Sequence, residues 1–438
     1  MIKIHKTGND YKIIPFSNKK QYKNMKNETI KLSLFFNYFV FAILLNCVGI
    51  VMLQMQLNFG VTKGDASVLE GFKDLPIAIA AFIFASFLPK IGLKKSMLIA
   101  LALVTIVCTI MPFADAFWYF KLLFFVIGIS FALIKVSVFS TIGLLTNNEK
   151  EHSSFMNFLE AVFMCGVMLG GFVFSYFVND ADPKSTEWLQ IYWIIAGLSS
   201  FAFLLLLLSK LDETEAKIEN TSLKKDFKTM IVMIAKPLII VFILSIFFYV
   251  MIEQSFSTWM PTFYKEILLA PTSIAVQAGS ILAGATFLGR LFSGFVLLRV
   301  KWIHFLSICL LAIATIVILV MPLAKTILVE NNYKMTWLNA PFVLYLLPIM
   351  GLFLAPIYPT LNSTILSSLP KHLHSSMSGL IVVFSALGGT TGSIITGHIF
   401  ESFSGTTAFY FSLIPITLIF ILIWTLYKMN KKNVEIPT

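Results

Sequence analysis

Long apolar segments separated by short polar stretches run along almost the whole chain. Each apolar segment spans roughly 20 to 25 residues, the length that an α-helix needs to cross about 30 Å of hydrocarbon at about 1.5 Å per residue. Alternating strands of about ten residues are absent from the pattern, which excludes a transmembrane β-barrel. The pattern predicts twelve transmembrane helices, at residues 32–56, 67–88, 96–113, 118–145, 154–178, 189–209, 238–260, 274–297, 303–321, 342–366, 377–400 and 408–427.

The composition agrees with a protein built for a bilayer. Of the 438 residues, 58% are hydrophobic and only 13% are charged, whereas a water-soluble domain carries about a quarter of charged residues. The expected fold class is therefore an all-α membrane protein. The first apolar segment is too long for a signal-peptide core and no small-residue cleavage site follows it, so we expect residues 1–31 to remain as a basic arm.

The basic residues predict the orientation, because loops rich in Lys and Arg stay in the cytoplasm. Most of the 33 Lys and Arg residues lie on the side of the N-terminus, so we expect both termini to be cytoplasmic, in the cytoplasmic (inner) membrane. The net charge of +11 then reflects topology and contact with anionic membrane lipid, and nucleic acid is not an expected partner. The opposite loops carry only Lys63, Lys121, Lys184, Lys265, Lys325 and Lys334.

An internal repeat relates the two halves of the chain. Residues 128–142 of helix 4 align with residues 351–365 of helix 10, each with a Gly, an Ala and a final Ser-Thr-Ile at matching positions. Chance similarity among apolar helices is the alternative explanation. The repeat predicts two six-helix bundles in the same orientation, around a cavity that opens alternately to the two sides of the membrane. Further matches are His152-Ser-Ser with His374-Ser-Ser, Gly166 with Gly388, and Gly170 with Gly392.

The same division gives the predicted units of the chain. The only long charged stretch between helices, residues 210–236, is expected to be a cytoplasmic linker that tethers the bundles. The predicted units are the basic arm 1–31, the N-terminal bundle 32–209, the linker 210–236, the C-terminal bundle 237–427 and the cytoplasmic tail 428–438.

The helix number, the 6+6 repeat and the charged central loop resemble the major facilitator superfamily. The superfamily's signature between helices 2 and 3 is a Gly followed by Asp, Arg, Gly, Arg and Lys. In this chain Lys90, Gly92 and Lys94 fit that pattern, whereas Pro89 replaces the acid and Ala85 replaces the first glycine. The resemblance implies alternating access, and it gives Lys90 and Lys94 a gating role.

Within that superfamily, three segments resemble the fucose:proton symporter family and its sugar-permease relatives. They are residues 249–261, Gly289-Arg290 and residues 355–359. This resemblance implies a sugar-like solute and a proton as the coupling ion. Those symporters carry acidic residues in helices 1 and 4, whereas helix 4 here carries Lys135, so neither their coupling residues nor fucose itself is transferred to this chain.

Ionisable residues inside the membrane are candidates for binding or coupling, because a charge at a helix centre costs roughly 2.5 to 3.5 kcal/mol. Lys135 and Glu160 lie at similar predicted depths on helices 4 and 5, and we expect an ion pair between them, with Asn157 one turn from Glu160. The pair either locks the two helices together or forms a substrate or proton site. Its repeat mates, Tyr358 and Val382, are uncharged, and this asymmetry favours a functional role.

Helices 7 and 8 supply further candidates. Glu253, beside Gln254, is either a carboxylate that binds the coupling proton or the partner in a helix-packing hydrogen bond. Arg290 stays protonated, so we expect a gating ion pair or a loop clamp there. Trp259 and Tyr358 would suit stacking on a sugar ring, although a Trp near a helix end is typical of an interface anchor.

Helix 2 carries three charged residues within about one turn. We expect Glu70 and Lys73 to lie near the outer mouth, to satisfy each other and to extend towards water. Asp74 is a weaker candidate for a proton site.

Signatures of enzymes are absent from the sequence. It has no phosphate-binding loop ending in Gly-Lys-Ser or Gly-Lys-Thr, no nucleophile elbow and no spacing typical of a metal site, so we expect no enzyme, cofactor or metal. Cys47, Cys108, Cys165 and Cys309 are expected to be buried apolar residues.

The sequence therefore predicts a monomeric secondary active transporter that moves a small polar solute, sugar-like by resemblance, together with a proton or other ion. Because of the buried Lys135, a carrier or exporter of an organic anion, amino acid or siderophore is the alternative within transport. A membrane receptor or scaffold without turnover is the alternative outside it.

Overall fold

A computed structural model describes residues 4–7, 10–13, 16–145, 149–213, 232–326, 335–367 and 374–434. An antiparallel hairpin, with Ile4 opposite Ile13, precedes the membrane region. Its strands are β1 (Ile4–Thr7) and β2 (Asp10–Ile13). The membrane-spanning segments of the described chain are α-helical, which confirms the predicted fold class.

Every predicted transmembrane helix has a counterpart among the described residues. Three of the twelve spans consist of two helices each, and these are labelled a and b. The helices are α1a (Phe16–Asn46), α1b (Val48–Phe59), α2 (Lys63–Ile91), α3 (Leu93–Ile110), α4 (Phe117–Leu145), α5 (Glu149–Tyr176), α6 (Ile191–Leu208), α7 (Pro237–Glu266), α8 (Thr272–Leu297), α9 (Trp302–Thr326), α10a (Val343–Leu354), α10b (Ile357–Ser367), α11 (His374–Ser402), α12a (Gly405–Phe411) and α12b (Leu413–Val434).

Length and hydropathy of these helices fit a bilayer. Eleven segments of the described chain are long and apolar enough to cross a membrane. The remaining span, α2, carries Glu70, Lys73 and Asp74 in its first half. The protein is therefore a multi-pass membrane protein.

Glycines of the repeat mediate equivalent helix contacts in the two bundles. A Cβ on Gly128 of α4 would lie 2.4 Å from the carbonyl oxygen of Lys73 in α2. A Cβ on Gly351 of α10a would lie 2.5 Å from the carbonyl oxygen of Leu282 in α8. Since only glycine allows helices to approach this closely, α4 packs on α2 as α10a packs on α8.

The second pair of repeat glycines behaves in the same way. Gly166 of α5 faces the Phe39 carbonyl oxygen of α1a, with 2.8 Å to a built Cβ. Gly388 of α11 faces the Phe247 carbonyl oxygen of α7, with 2.3 Å to a built Cβ. The repeat found in the sequence is therefore also a repeat in the packing of the two six-helix bundles.

Besides helix 12, which is divided at Ser412, helices 1 and 10 are broken inside the membrane. The break at Pro356, between α10a and α10b, follows from proline's missing N–H. The other break, at Cys47 between α1a and α1b, has no proline or glycine at that position. There the Asn46 side chain donates to the Ala42 carbonyl oxygen at 2.9 Å, and Lys73 Nζ lies 3.4 Å from the Leu45 carbonyl oxygen. Side chains thus replace backbone hydrogen bonds, as broken membrane helices require.

Several boundaries differ from those predicted. Helix α1a begins at Phe16 and so takes up part of the predicted basic arm, and α7 continues through Pro261 to Glu266. Cys165 is exposed on the outside of the bundle, so the prediction of four buried cysteines was wrong for this one. Within the predicted linker, residues 214–231 lie outside the described residues.

Candidate functional site

A cavity of about 260 Å³ lies where the two bundles meet. Its walls come from α1 and α5 on one side and from α7, α8 and α10a on the other. Gly49 and Gly171 let helices of the two bundles approach closely beside it, and its charged and amide side chains include Glu253, Gln254 and Arg290. The candidate residues from the C-terminal bundle therefore converge on the space between the bundles.

A second cavity, of about 280 Å³, adjoins the first and lies mainly within the N-terminal bundle. The two cavities share Asn46, Phe163, Met164 and Arg290 in their walls. The charged side chains around the second cavity are Lys73, Asp74, Lys135, Glu160 and Arg290. Lys73 is already paired with Glu70, so Lys135 and Arg290 are the two bases of this wall that form no salt bridge of 4.0 Å or less within the described part of the chain.

The predicted ion pair between Lys135 and Glu160 is not formed. Both side chains line the second cavity, but within the described part of the chain no salt bridge of 4.0 Å or less joins them. Instead, Lys135 Nζ lies 5.7 Å and 6.0 Å from the ring centroids of Phe131 and Phe139. Aromatic faces hold the ammonium group weakly, which leaves it available to a ligand.

Arg290 occupies the wall between the two cavities instead of a loop. Its Nε is buried and has no hydrogen-bond partner among the described residues, and the Tyr38 hydroxyl across the second cavity is in the same condition. Buried polar groups without partners cost free energy unless a water or ligand satisfies them. Both groups are therefore candidate ligand contacts.

Glu253 is held by the C-terminal bundle. The Tyr249 hydroxyl donates to Glu253 Oε1 at 2.9 Å and lies 3.0 Å from the Leu354 carbonyl oxygen at the break in helix 10. One carboxylate oxygen is thus positioned by packing, as expected for the helix-packing alternative, and the role in proton binding stays a prediction.

The charged residues of α2 do not lie at a watery mouth. Glu70 and Lys73 are 0% and 6% exposed, and Asp74 reaches into the second cavity. Glu70 forms an ion pair with Lys73, and Lys73 Nζ lies 3.5 Å from Asp74 Oδ1. The expectation that these side chains extend to water was wrong, because this face of α2 turns towards the other bundle instead of towards the loops.

Carboxylates close one end of the central space by bridging the bundles. The Gly64 N–H at the start of α2 donates to Glu401 Oε2 of α11 at 2.6 Å. Reciprocally, the Ser273 N–H at the start of α8 donates to Asp180 Oδ1 at 2.9 Å. Each carboxylate caps a helix N-terminus of the opposite bundle, where backbone N–H groups and the helix dipole favour a negative charge.

Further contacts lie on the same side of the membrane. Lys63 pairs with Glu266 at 3.1 Å, and Gln277 Nε2 donates to Ser175 Oγ at 2.9 Å. All hydrogen bonds found between the bundles, within the described part, lie in the half that carries the 60–62 and 267–271 connections. The basic-residue pattern assigns this half to the outside, and it is called the outer half below.

Lys94 connects α3 with the end of α6 within the N-terminal bundle. Its Nζ donates to the carbonyl oxygens of Leu207 and Ser209 at the end of α6, at 2.9 and 2.6 Å. Glu213 caps the start of α3 by accepting from the N–H groups of Leu93 and Lys94 at 3.1 and 2.7 Å. Glu213 thus supplies a carboxylate near the loop in which Pro89 replaces the superfamily's acid. The side chains of Lys90 and Asn157 lie outside the described part of the structure.

The two aromatic residues proposed for sugar stacking stand apart from the cavities. Trp259 is fully buried in the C-terminal bundle, where its Nε1 donates to the Ser393 carbonyl oxygen at 3.0 Å, so a stacking role for it was wrong. Tyr358 packs against Tyr249, with 5.9 Å between ring centroids, and its hydroxyl lies 3.4 Å from Ser385 Oγ.

The sequence analysis missed Asn46 and Tyr38 as site residues. Asn46 borders both cavities from the break in helix 1, and Tyr38 lies two turns earlier on the same helix. Helical periodicity, with Asn46 eight positions after Tyr38, is the one signal that could have placed them on a single face.

Two packed six-helix bundles around a charged, membrane-embedded cavity define a membrane transporter. The family model of the Major Facilitator Superfamily matches residues 34–393, and the chain belongs to this superfamily. It is accordingly a transporter of small solutes and not an enzyme.

Comparison with individual proteins agrees with this assignment. The chain is 21% identical over 400 residues to the protein TsgA homolog of Buchnera aphidicola subsp. Schizaphis graminum (strain Sg), covering 91% of this chain and 96% of that protein. Its fold is similar to that of the D-xylose-proton symporter, with a TM-score of 0.71 at 14% identity, covering 90% and 96% of the two chains. It is also similar to the Major Facilitator Superfamily transporter FucP in the outward conformation, with a TM-score of 0.59 at 16% identity, covering 92% and 99%.

Proposed function

We propose that this protein is a proton-coupled secondary transporter of a small organic solute bearing a carboxylate, acting as a monomer in the cytoplasmic membrane. The observation that carries the proposal is the second cavity, where Lys135 and Arg290 face the lumen without an acidic partner within 4.0 Å among the described residues. A carboxylate bound between them would form charge-assisted hydrogen bonds with both bases.

Other polar groups of the two cavities can contact the bound solute. Arg290 Nε and the Tyr38 hydroxyl are buried donors that lack a described partner, and both lie on the wall of the cavity that Lys135 also lines. Asn46 extends the polar surface into the first cavity. There Gln254 and Glu253 can form hydrogen bonds with the solute's other polar groups. The solute would thus contact both bundles, as alternating access requires.

Sugar transport remains the second candidate, because three sequence segments resemble sugar permeases. The structure lends it less support, since Trp259 is withdrawn from both cavities. A neutral sugar would also offer Lys135 and Arg290 no anionic group to pair with.

A thermal-shift screen of the purified protein distinguishes these candidates, because a ligand that binds the folded state raises its stability. Succinate, citrate, glutamate, xylose and fucose serve as probes, with Lys135→Gln as the test variant and Lys184→Gln, on an exposed loop, as the matched control. We expect one or more carboxylates to stabilise the wild type and the control. In Lys135→Gln the affinity should fall about 10- to 150-fold, corresponding to a charged hydrogen bond of about 1.5 to 3 kcal/mol. Equal stabilisation of wild type and Lys135→Gln by xylose or fucose would contradict the carboxylate proposal and support the sugar.

A further inference from the structure

Glu70 is a buried carboxylate that joins the two bundles. It is 0% exposed, and it lies seven residues into α2, about 10 Å from the start of the helix. Its Oε1 accepts from Lys73 and from Gln254 Nε2, and its Oε2 accepts from Thr258 Oγ1 at 3.1 Å. Two of these three donors belong to α7, so they are available to Glu70 only while the outer half is closed.

We propose that Glu70 carries the coupling proton and that its protonation releases α2 from α7, which opens the outer half. The inference rests on the proposed function, because it takes proton coupling from it. It assigns the coupling to a residue outside the acids on which the sequence analysis relied, Asp74, Glu160 and Glu253.

The contact between Glu70 and α7 depends on the charge of Glu70. Hydrogen bonds to an ionised carboxylate are roughly twice as strong as neutral ones, so protonation weakens both bonds to α7. Lys73 remains compensated after protonation because Asp74 lies 3.5 Å away. The group of Glu70, Lys73 and Asp74 then changes from one net negative charge to none. The contact of Glu70 with Gln254 and Thr258 is called the α2–α7 seam below. Opening this seam therefore leaves no buried charge without a partner.

A small chamber beside Glu70 gives protons a route to it in the observed structure. A chamber of about 30 Å³ borders Glu70, Lys73, Asn46 and Gln254. One water molecule needs about 10 to 15 Å³, so the chamber can hold a water between Glu70 and the central cavities, whose walls also contain Asn46. Protons can reach Glu70 through this chamber while α2 and α7 are in contact, and from outer water once the two helices have separated.

Among its neighbours, Glu70 is the group whose charge controls the contact between α2 and α7. On its own helix it faces Lys73 and Asp74, and on helix 1 it faces the Cys47 thiol. Helix α7 presents the uncharged Gln254 and Thr258, and α11 presents Thr390, next to Gly71. Among these described groups, only the ionised form of Glu70 offers α7 a negatively charged acceptor.

The test is a distance measurement across the outer face without any solute. Spin labels are placed at Thr186→Cys and Leu338→Cys, which are exposed positions on the two bundles, in a Cys165→Ala background. The full-length protein is reconstituted in nanodiscs and examined from roughly pH 8 to roughly pH 5. We expect the distance between the labels to increase on acidification, and we expect Glu70→Gln to show the long distance throughout.

Controls separate Glu70 from the other acids nearby. Glu266→Gln makes the same substitution in a bridge between the bundles, but its pair with Lys63 is partly exposed, so it should keep the wild-type pH response. A wild-type distance that is independent of pH would overturn the proposal even if Glu70→Gln does not fold. A pH response that survives in Glu70→Gln, or that disappears only in Asp74→Asn, would also overturn it. Because no solute is present, failure here leaves the thermal-shift result on carboxylate binding untouched.

Discussion

Arg290 shows how a single side chain can serve two cavities. Its guanidinium lies in the wall that they share, and Nε has no described partner. Guanidinium presents a planar fork to a carboxylate, whereas a lysine ammonium is a point charge. The planar group should therefore matter at this position, in addition to the charge.

We predict that Arg290→Lys binds the carboxylate probe about 10-fold more weakly although the charge is kept, because one of two parallel hydrogen bonds is lost. Titration calorimetry on the purified variant measures the affinity. Arg299→Lys, outside the cavities, is the matched control and should bind as the wild type does. Unchanged affinity in Arg290→Lys would place the carboxylate elsewhere.

At the scale of helices, glycine contacts hold each bundle together. Gly388 brings α11 onto the backbone of α7, and a Cβ there would lie 2.3 Å from the Phe247 carbonyl oxygen. Gly197 of α6 has nothing within 4 Å of its built Cβ. Alanine substitutions at these two positions therefore distinguish the effect of close packing from the effect of helix propensity.

We predict that Gly388→Ala destabilises the protein by about 1 to 3 kcal/mol through overpacking. Gly197→Ala should be neutral or stabilising by up to about 1 kcal/mol, since alanine favours the helix. Thermal unfolding in detergent, followed by tryptophan fluorescence, compares the two variants. Equal melting temperatures would show that α11 and α7 do not pack as closely as described.

The helices could be predicted from the sequence because hydrophobic length depends on local residues alone. The break in helix 10 was also predictable, since Pro356 cannot donate a backbone hydrogen bond. The break at Cys47 was not, because it depends on Lys73, from another helix, reaching the Leu45 carbonyl oxygen. Likewise, the position of Glu70 along α2 does not tell whether its side chain faces water or the other bundle. The packing of the two bundles against each other decides this.

At the scale of the whole molecule, the bundles meet in the outer half. A Cβ built on Gly171 of α5 lies 3.4 Å from Ser280 Cβ of α8. That separation is close to the Cβ–Cβ distance of a disulfide. A cross-link at this position would hold the outer half closed.

We predict that Gly171→Cys/Ser280→Cys, in a Cys165→Ala background, loses transport on oxidation and regains it on reduction. Alternating access requires this contact to open once in each cycle. Uptake into proteoliposomes, with the two single-cysteine variants as controls, provides the measurement. Full transport by the oxidised, cross-linked protein would mean that the outer half does not open during turnover.

The charged cavity should transport a small carboxylate as well as bind it. Counterflow tests it most directly: proteoliposomes loaded with an unlabelled carboxylate from the thermal-shift panel are diluted into its radiolabelled form. We predict transient accumulation of label by the wild type and by Lys184→Gln. Accumulation by Lys135→Gln should be lower by at least about 10-fold. The wild type should also take up the carboxylate against its gradient when the outside is made acidic. Binding without flux under any gradient would contradict the account and support a receptor or scaffold.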